Sequence, residues 1–84
     1  MDLVPYKTSD TPFAAYLHYS GLRPLTTKQD PNDYKREVLV FLDSDKVKEL
    51  EIEWQTGRAT GDLKKYYRSY KIVSNMIKQA RSTR

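Results

Sequence analysis

His18 is the only histidine in the 84 residues, and it lies between Leu17 and Tyr19 in a stretch of helical character. A catalytic base needs a nucleophile or proton donor within hydrogen-bond reach. The serines at positions 9, 20, 44, 69 and 74 have no other histidine to pair with, and none sits in a Gly-x-Ser-x-Gly elbow. The absence of cysteine removes thiolate nucleophiles, disulfides and thiolate metal sites together. Gly21, Gly57 and Gly61 stand singly and build no phosphate-cradling loop. Carboxylates are denser: Asp43, Asp45, Glu49, Glu51 and Glu53 form an acidic stretch. A magnesium-dependent nuclease would need two or three such groups clustered beside a lysine. Here Asp43 and Asp45 stand where they cap a helix, and Glu49 and Glu53, four apart, share a face expected to be solvated. Asp30 and Glu37 imitate part of a nuclease pattern, but the lysine that should follow the acid on one strand is missing. The expectation is a protein without catalytic residues, cofactor or metal, which acts by binding.

Positive charge is the stronger signal. From Asp62 onward seven basic residues face one acid, a net of +6, while 43–53 carries a net of −3 and the whole chain +4. Lys64, Arg68, Lys71, Asn75 and Lys78 step by four, three, four and three, so they share one helix face over ~20 Å. Lys65 and Arg81 add charge to the same helix, and Tyr67 flanks the stripe with a ring able to stack on an unpaired base. Cations in a row along a phosphate backbone release counterions and give affinity without base readout. An acidic protein partner would use the same stripe. A third reading is a solvated outer face, whose lysines near the C-terminus complement the helix dipole.

The elements that position these groups follow from the punctuation. Leu3 to Thr8, carrying Pro5, reads as an edge strand. Asp10 or Thr11 caps a helix with Pro12 in its first turn, which runs to about Ser20 and stops at Gly21. Phe13, Ala14, Tyr16 and Leu17 form its inner side. Leu22 to Lys28, interrupted by Pro24, reads as a second edge strand, and 29–33 as a turn. Glu37 to Leu42 is apolar without alternation and marks a central strand covered on both sides. A second helix follows the Asp43-Ser44-Asp45 cap, with Val47, Leu50 and Trp54 inward, Ile52 to one side and Gly57 at its end. Asp62 caps the last helix, Leu63 to about Arg81, whose apolar seam is Leu63, Tyr66, Tyr70, Val73, Ile77 and Ala80. Residues 82–84 are expected to fray. Tyr16, Tyr66 and Tyr70 belong to core stripes, whereas Tyr19, Tyr34 and Tyr67 have no evident inner position.

The fold implied is α+β: one domain over 1–84, a three-stranded antiparallel sheet with three helices in the order β-α-β-β-α-α. The first strand reaches the second through the first helix, in a right-handed crossover. The pattern Thr8-x-Asp10 before Ala14-Ala15-Tyr16-Leu17, then Gly21, the strand ending in Phe41, Trp54-x-x-Gly57, Asp62 and a lysine-bearing last helix resembles a small domain family of unknown function found in bacteria and their phages. The resemblance covers nearly the whole chain and implies a phage or mobile-element setting, with no activity and no site residues to carry over.

No apolar run approaches the ~18–20 residues of a membrane span, and Met1-Asp2-Leu3-Val4-Pro5 does not read as a signal peptide, so a cytoplasmic protein with no membrane partner is expected. Helix-turn-helix, zinc-finger and RNA-recognition signatures are missing, which leaves low-specificity backbone contacts as the form nucleic-acid binding would take. The rival function is a protein-interaction module that sequesters a host factor or joins a larger assembly. Part of the last helix's apolar seam would then serve as a homodimer interface.

Overall fold

The computed structural model describes residues 5–42 and 45–82, with the side chains of Tyr34 and Lys35 left aside. The strand readings at Leu3 and Val4, the caps at Asp43 and Ser44, Arg84 and the exposure of Tyr34 fall outside it. The elements are β1 (Tyr6–Thr8), α1 (Thr11–Tyr19), β2 (Thr26–Asp30), β3 (Asp33–Phe41), α2 (Asp45–Gln55) and α3 (Leu63–Ser82). Both partner strands run antiparallel to β3 in the order β1-β3-β2, so the apolar run is central, as expected. Leu39 and Phe41 enter the helix-covered core, and Val40 is buried on the opposite alternation, whereas Leu42 is half exposed just past the strand.

The strand limits differ from the sequence reading for backbone reasons. Leu22 belongs to the end of α1, since its N–H donates to the Leu17 carbonyl (3.0 Å) while Gly21 takes the left-handed conformation at φ 99°. With Leu22 committed to this cap and Pro24 lacking an N–H, β2 begins only at Thr26. The turn narrows to Pro31-Asn32, and β3 starts at Asp33, four residues ahead of its apolar run. Ladder bonds are made by the backbone, so polar residues such as Lys28 and Gln29 pair with Val38 and Glu37 without any apolar signal.

Helix α1 is the hub of the core. Asp10 caps it by accepting from the Phe13 N–H (3.3 Å), and Phe13 to Leu17 are all buried. Helix α3 packs along α1, and α2 contributes Val47 and Leu50 to the same cluster. Trp54 packs at the rim of this cluster rather than inside it, and Ile52 faces outward.

On α3 the observed inner face is rotated from the predicted seam. Val73 is buried, Tyr66, Met76 and Ile77 pack on the core, and Ser69 is buried too. Leu63, the first seam residue, is 82% exposed. Steps alternating three and four lag the 3.6-residue turn by ~20° per heptad, so a seam read that way drifts off a straight helix's buried face.

Candidate nucleic-acid interface

Three contacts set the roll of α3 about its axis. Asp62 caps the helix by accepting from the Lys65 N–H (3.1 Å). The Tyr66 hydroxyl donates to the Pro12 carbonyl (3.0 Å), and Ser69 Oγ lies 3.0 Å from His18 Nδ1. With Tyr66, Ser69 and Val73 turned toward α1, the opposite side faces solvent. There Lys64, Arg68, Lys71, Asn75 and Lys78 are all exposed. Lys65 and Arg81 are exposed as well, but at 100° per residue they lie about 100° to either side of the stripe, on opposite flanks. The line of charge is therefore Lys64, Arg68, Lys71 and Lys78, with Lys65 and Arg81 as outriders.

Among the described residues no carboxylate is ion-paired with any of these six cations. The one specific engagement is Lys71 Nζ, 4.9 Å from the centroid of the Tyr67 ring, a cation–π contact one helical turn long. Tyr67 itself is 57% exposed. A base stacking on this ring would take the face that Lys71 leaves open or displace the ammonium.

The acidic helix is organised in another way. The Tyr6 hydroxyl donates to Glu51 Oε2 (2.6 Å) and the Tyr16 hydroxyl to Glu53 Oε2 (2.7 Å). The expected solvated face thus holds for Glu49, which is exposed, and fails for Glu53, which is drawn to the core by a tyrosine. Burial first, then the Glu53 hydrogen bond and charge, push the Tyr16 phenol up to about 12. No group of three histidine, aspartate or glutamate side chains suited to a metal ion occurs among the described residues.

Of the serines that could pair with the single histidine, Ser69 meets His18. Arg23 Nη1 lies 3.3 Å from His18 Nε2, and a guanidinium can only donate. Nε2 must then be the bare nitrogen, which leaves the proton on Nδ1 to be donated to Ser69 Oγ. In that tautomer the imidazole supplies a proton to the serine and takes none, the reverse of nucleophile activation. Burial, then the Arg23 charge, hold the His18 pKa below its ordinary value and favour the neutral ring. The pair is a polar bolt between α1 and α3.

Tyr19 is the residue whose role the sequence reading missed. It is half-buried, and its hydroxyl accepts from the Asp62 N–H (2.9 Å). It links a chain of seven rings, Tyr6, Phe13, Trp54, Tyr16, Tyr19, Tyr66 and Tyr70, with successive centroids 5.4 to 6.5 Å apart. These rings come from β1, α1, α2 and α3, so no spacing within one element reveals the chain. One local signal existed: Gly61, directly before the capping aspartate, where a side chain would meet the Tyr19 ring.

No helix among the described residues is long and apolar enough to cross a membrane. Comparison with curated proteins and with solved structures returns no match to this chain. A family description does match, over residues 4–79, so it takes in every element from β1 to most of α3. By that match, the chain belongs to the family described as Domain of unknown function (DUF5659).

Proposed function

We propose that this domain is a non-enzymatic, nucleic-acid-associated protein that grips the phosphate backbone with α3, at low sequence specificity. The observation that carries the reading is the line of Lys64, Arg68, Lys71 and Lys78, exposed and without ion-pair partners among the described residues. Four cations spread over ~21 Å have a length suited to following a phosphate backbone, and Tyr67 offers a ring beside them. The setting we assign is the cytoplasm of a bacterium or of a phage-infected cell, on the strength of the sequence resemblance. The rival reading, a protein-interaction module, draws support from the apolar side chains that α3 leaves outward, Leu63 and Ile72.

Fluorescence anisotropy with a generic labelled oligonucleotide tests the proposal. Four phosphate contacts give a slope of log affinity against log salt of about −3 to −4. Lys64→Glu with Lys71→Glu removes binding, and absence of binding by the unaltered protein at ~50 mM salt rejects the reading. In that event, capture of a stoichiometric protein from nuclease-treated lysate, lost on Leu63→Glu, supports the rival.

A further inference from the structure

Where the C-terminal turn of α2, the loop 58–62 and the start of α3 converge on α1, they enclose a cleft of about 400 Å³, within the lower range of ligand-binding pockets. Its walls are the rings of Tyr16, Tyr19, Trp54 and Tyr66, completed by Leu63 and the 59–61 loop. Tyr16 and Trp54 lie 5.4 Å apart at 30°, Tyr16 and Tyr19 are stacked, and Tyr66 turns 70° away from Tyr19 to make a corner. An occupant therefore meets aromatic surface on more than one side.

The electrostatics of this lining select among apolar occupants. No lysine or arginine among the described residues lines the cleft; Arg58, Lys64 and Lys65, each next in sequence to a lining residue, are exposed and stay outside the lining. Behind Tyr16 stands the Glu53 carboxylate, and Asp62 lies between the lining residues Gly61 and Leu63. A phenol that donates a hydrogen bond gains electron density in its ring. Tyr16 donates to Glu53 and Tyr66 to the Pro12 carbonyl; Tyr16 is buried against Trp54 and Tyr19, so the enriched face offered to an occupant is that of the half-buried Tyr66. Aromatic faces of this kind attract a large, weakly hydrated cation, and a nearby carboxylate adds long-range attraction without a direct ion pair.

We propose that this cleft is a binding site for an alkylated ammonium group, the chemistry shared by choline-like small molecules and trimethyl-lysine side chains. The site is separate from the basic stripe and independent of nucleic-acid binding. Trp54 is the only tryptophan of the chain and lines the cleft, so its fluorescence reports occupancy directly.

The full-length protein is titrated with choline and with 3,3-dimethyl-1-butanol, its uncharged isostere, at constant ionic strength. Choline is expected to quench Trp54 saturably, with the isostere requiring at least roughly tenfold higher concentration. Leu63→Lys, at a position exposed enough to leave the fold intact, places a cation on the rim and weakens choline about tenfold, while Leu63→Gln retains binding. Lys71→Glu with Lys78→Glu, two or more helical turns from Leu63, leaves the quench unchanged, which separates this site from the stripe whatever the fate of the oligonucleotide test. A trimethyl-lysine peptide and its unmodified counterpart form the second arm. Tighter binding of the methylated peptide than of choline assigns a protein tail as the source, and the reverse assigns a small metabolite. Equal binding of choline and its isostere, or no saturable response to choline or to the methylated peptide, overturns the proposal.

Discussion

In α2, Glu51 and Glu53 accept hydrogen bonds from tyrosine hydroxyls of β1 and α1. In α3, Lys64, Arg68, Lys71 and Lys78 extend outward, and no carboxylate among the described residues pairs with them. The two helices carry opposite net charge, yet two carboxylates of one hold the fold while the cations of the other are left for solvent or a partner. Side-chain chemistry accounts for the difference. A carboxylate accepts a hydrogen bond from a half-buried phenol at short reach, so it can be drawn to the rim of an aromatic core. A lysine buries its stem and keeps its head in water. An acidic helix over a tyrosine-rich core therefore becomes structural, while a basic helix on the same core keeps its outer face available.

The sharpest way to break this comparison is to delete two charges from each helix. Glu51→Ala with Glu53→Ala is expected to lower unfolding stability by about 2 kcal/mol, less than the ~3 kcal/mol that two buried charge-assisted hydrogen bonds would contribute, because both glutamates are partly exposed. Lys64→Ala with Lys71→Ala stays within about 0.5 kcal/mol of the unaltered protein. Urea denaturation measures both, and equal losses would erase the distinction between the helices. Next in size is Gly61→Ala. The added Cβ would lie within 2.7 Å of Tyr19 ring carbons, and the overpacking costs about 1–2 kcal/mol. In a Tyr19→Leu background the part due to the ring contact should disappear, leaving the strain of an alanine at φ 157°; an unchanged cost would place all of it in the backbone.

Two ionisable groups on α1 report on the two helices separately. Tyr16, which faces α2, has its pKa raised from 10.0 to about 12, so the unfolded chain loses its proton first. Stability is then full below pH 10 and declines between pH 10 and 12, a limb that Tyr16→Phe removes. His18, which faces α3, has its pKa lowered from 6.5, so the unfolded chain gains its proton first. Stability is constant above that value and falls as pH drops below it, until the folded-state imidazole also protonates. His18→Gln flattens this acid limb, the smallest of the expected effects. An acid limb unchanged by His18→Gln would show that His18 does not carry it.

Much of the architecture was legible because the strongest signals were local. Asp10 with Pro12, Gly21, Gly57 and Asp62 mark helix ends through backbone chemistry that depends on adjacent residues only. The apolar run ending at Phe41 could be satisfied only as the central strand. The exposed basic line on α3 was legible for the same reason, as a periodicity within one helix. The polar half of the β2–β3 hairpin was not, because a ladder of backbone bonds leaves no trace in side-chain polarity. Nor was the burial of Ser69 or the exposure of Leu63, which depend on how α3 rolls against α1.

Helix and strand identities, their order, and the one-sided basic charge of the last helix were determined by the sequence itself, since each rests on interactions among residues a few positions apart. Which tyrosines would hold carboxylates, that Tyr19 would fasten the loop at Gly61, and that three tyrosine rings from two helices and a tryptophan from a third would line a cleft were decided only in three dimensions. The reason is physical: a side chain's partner is set by the packing of separate elements, and that packing is a property of the whole core.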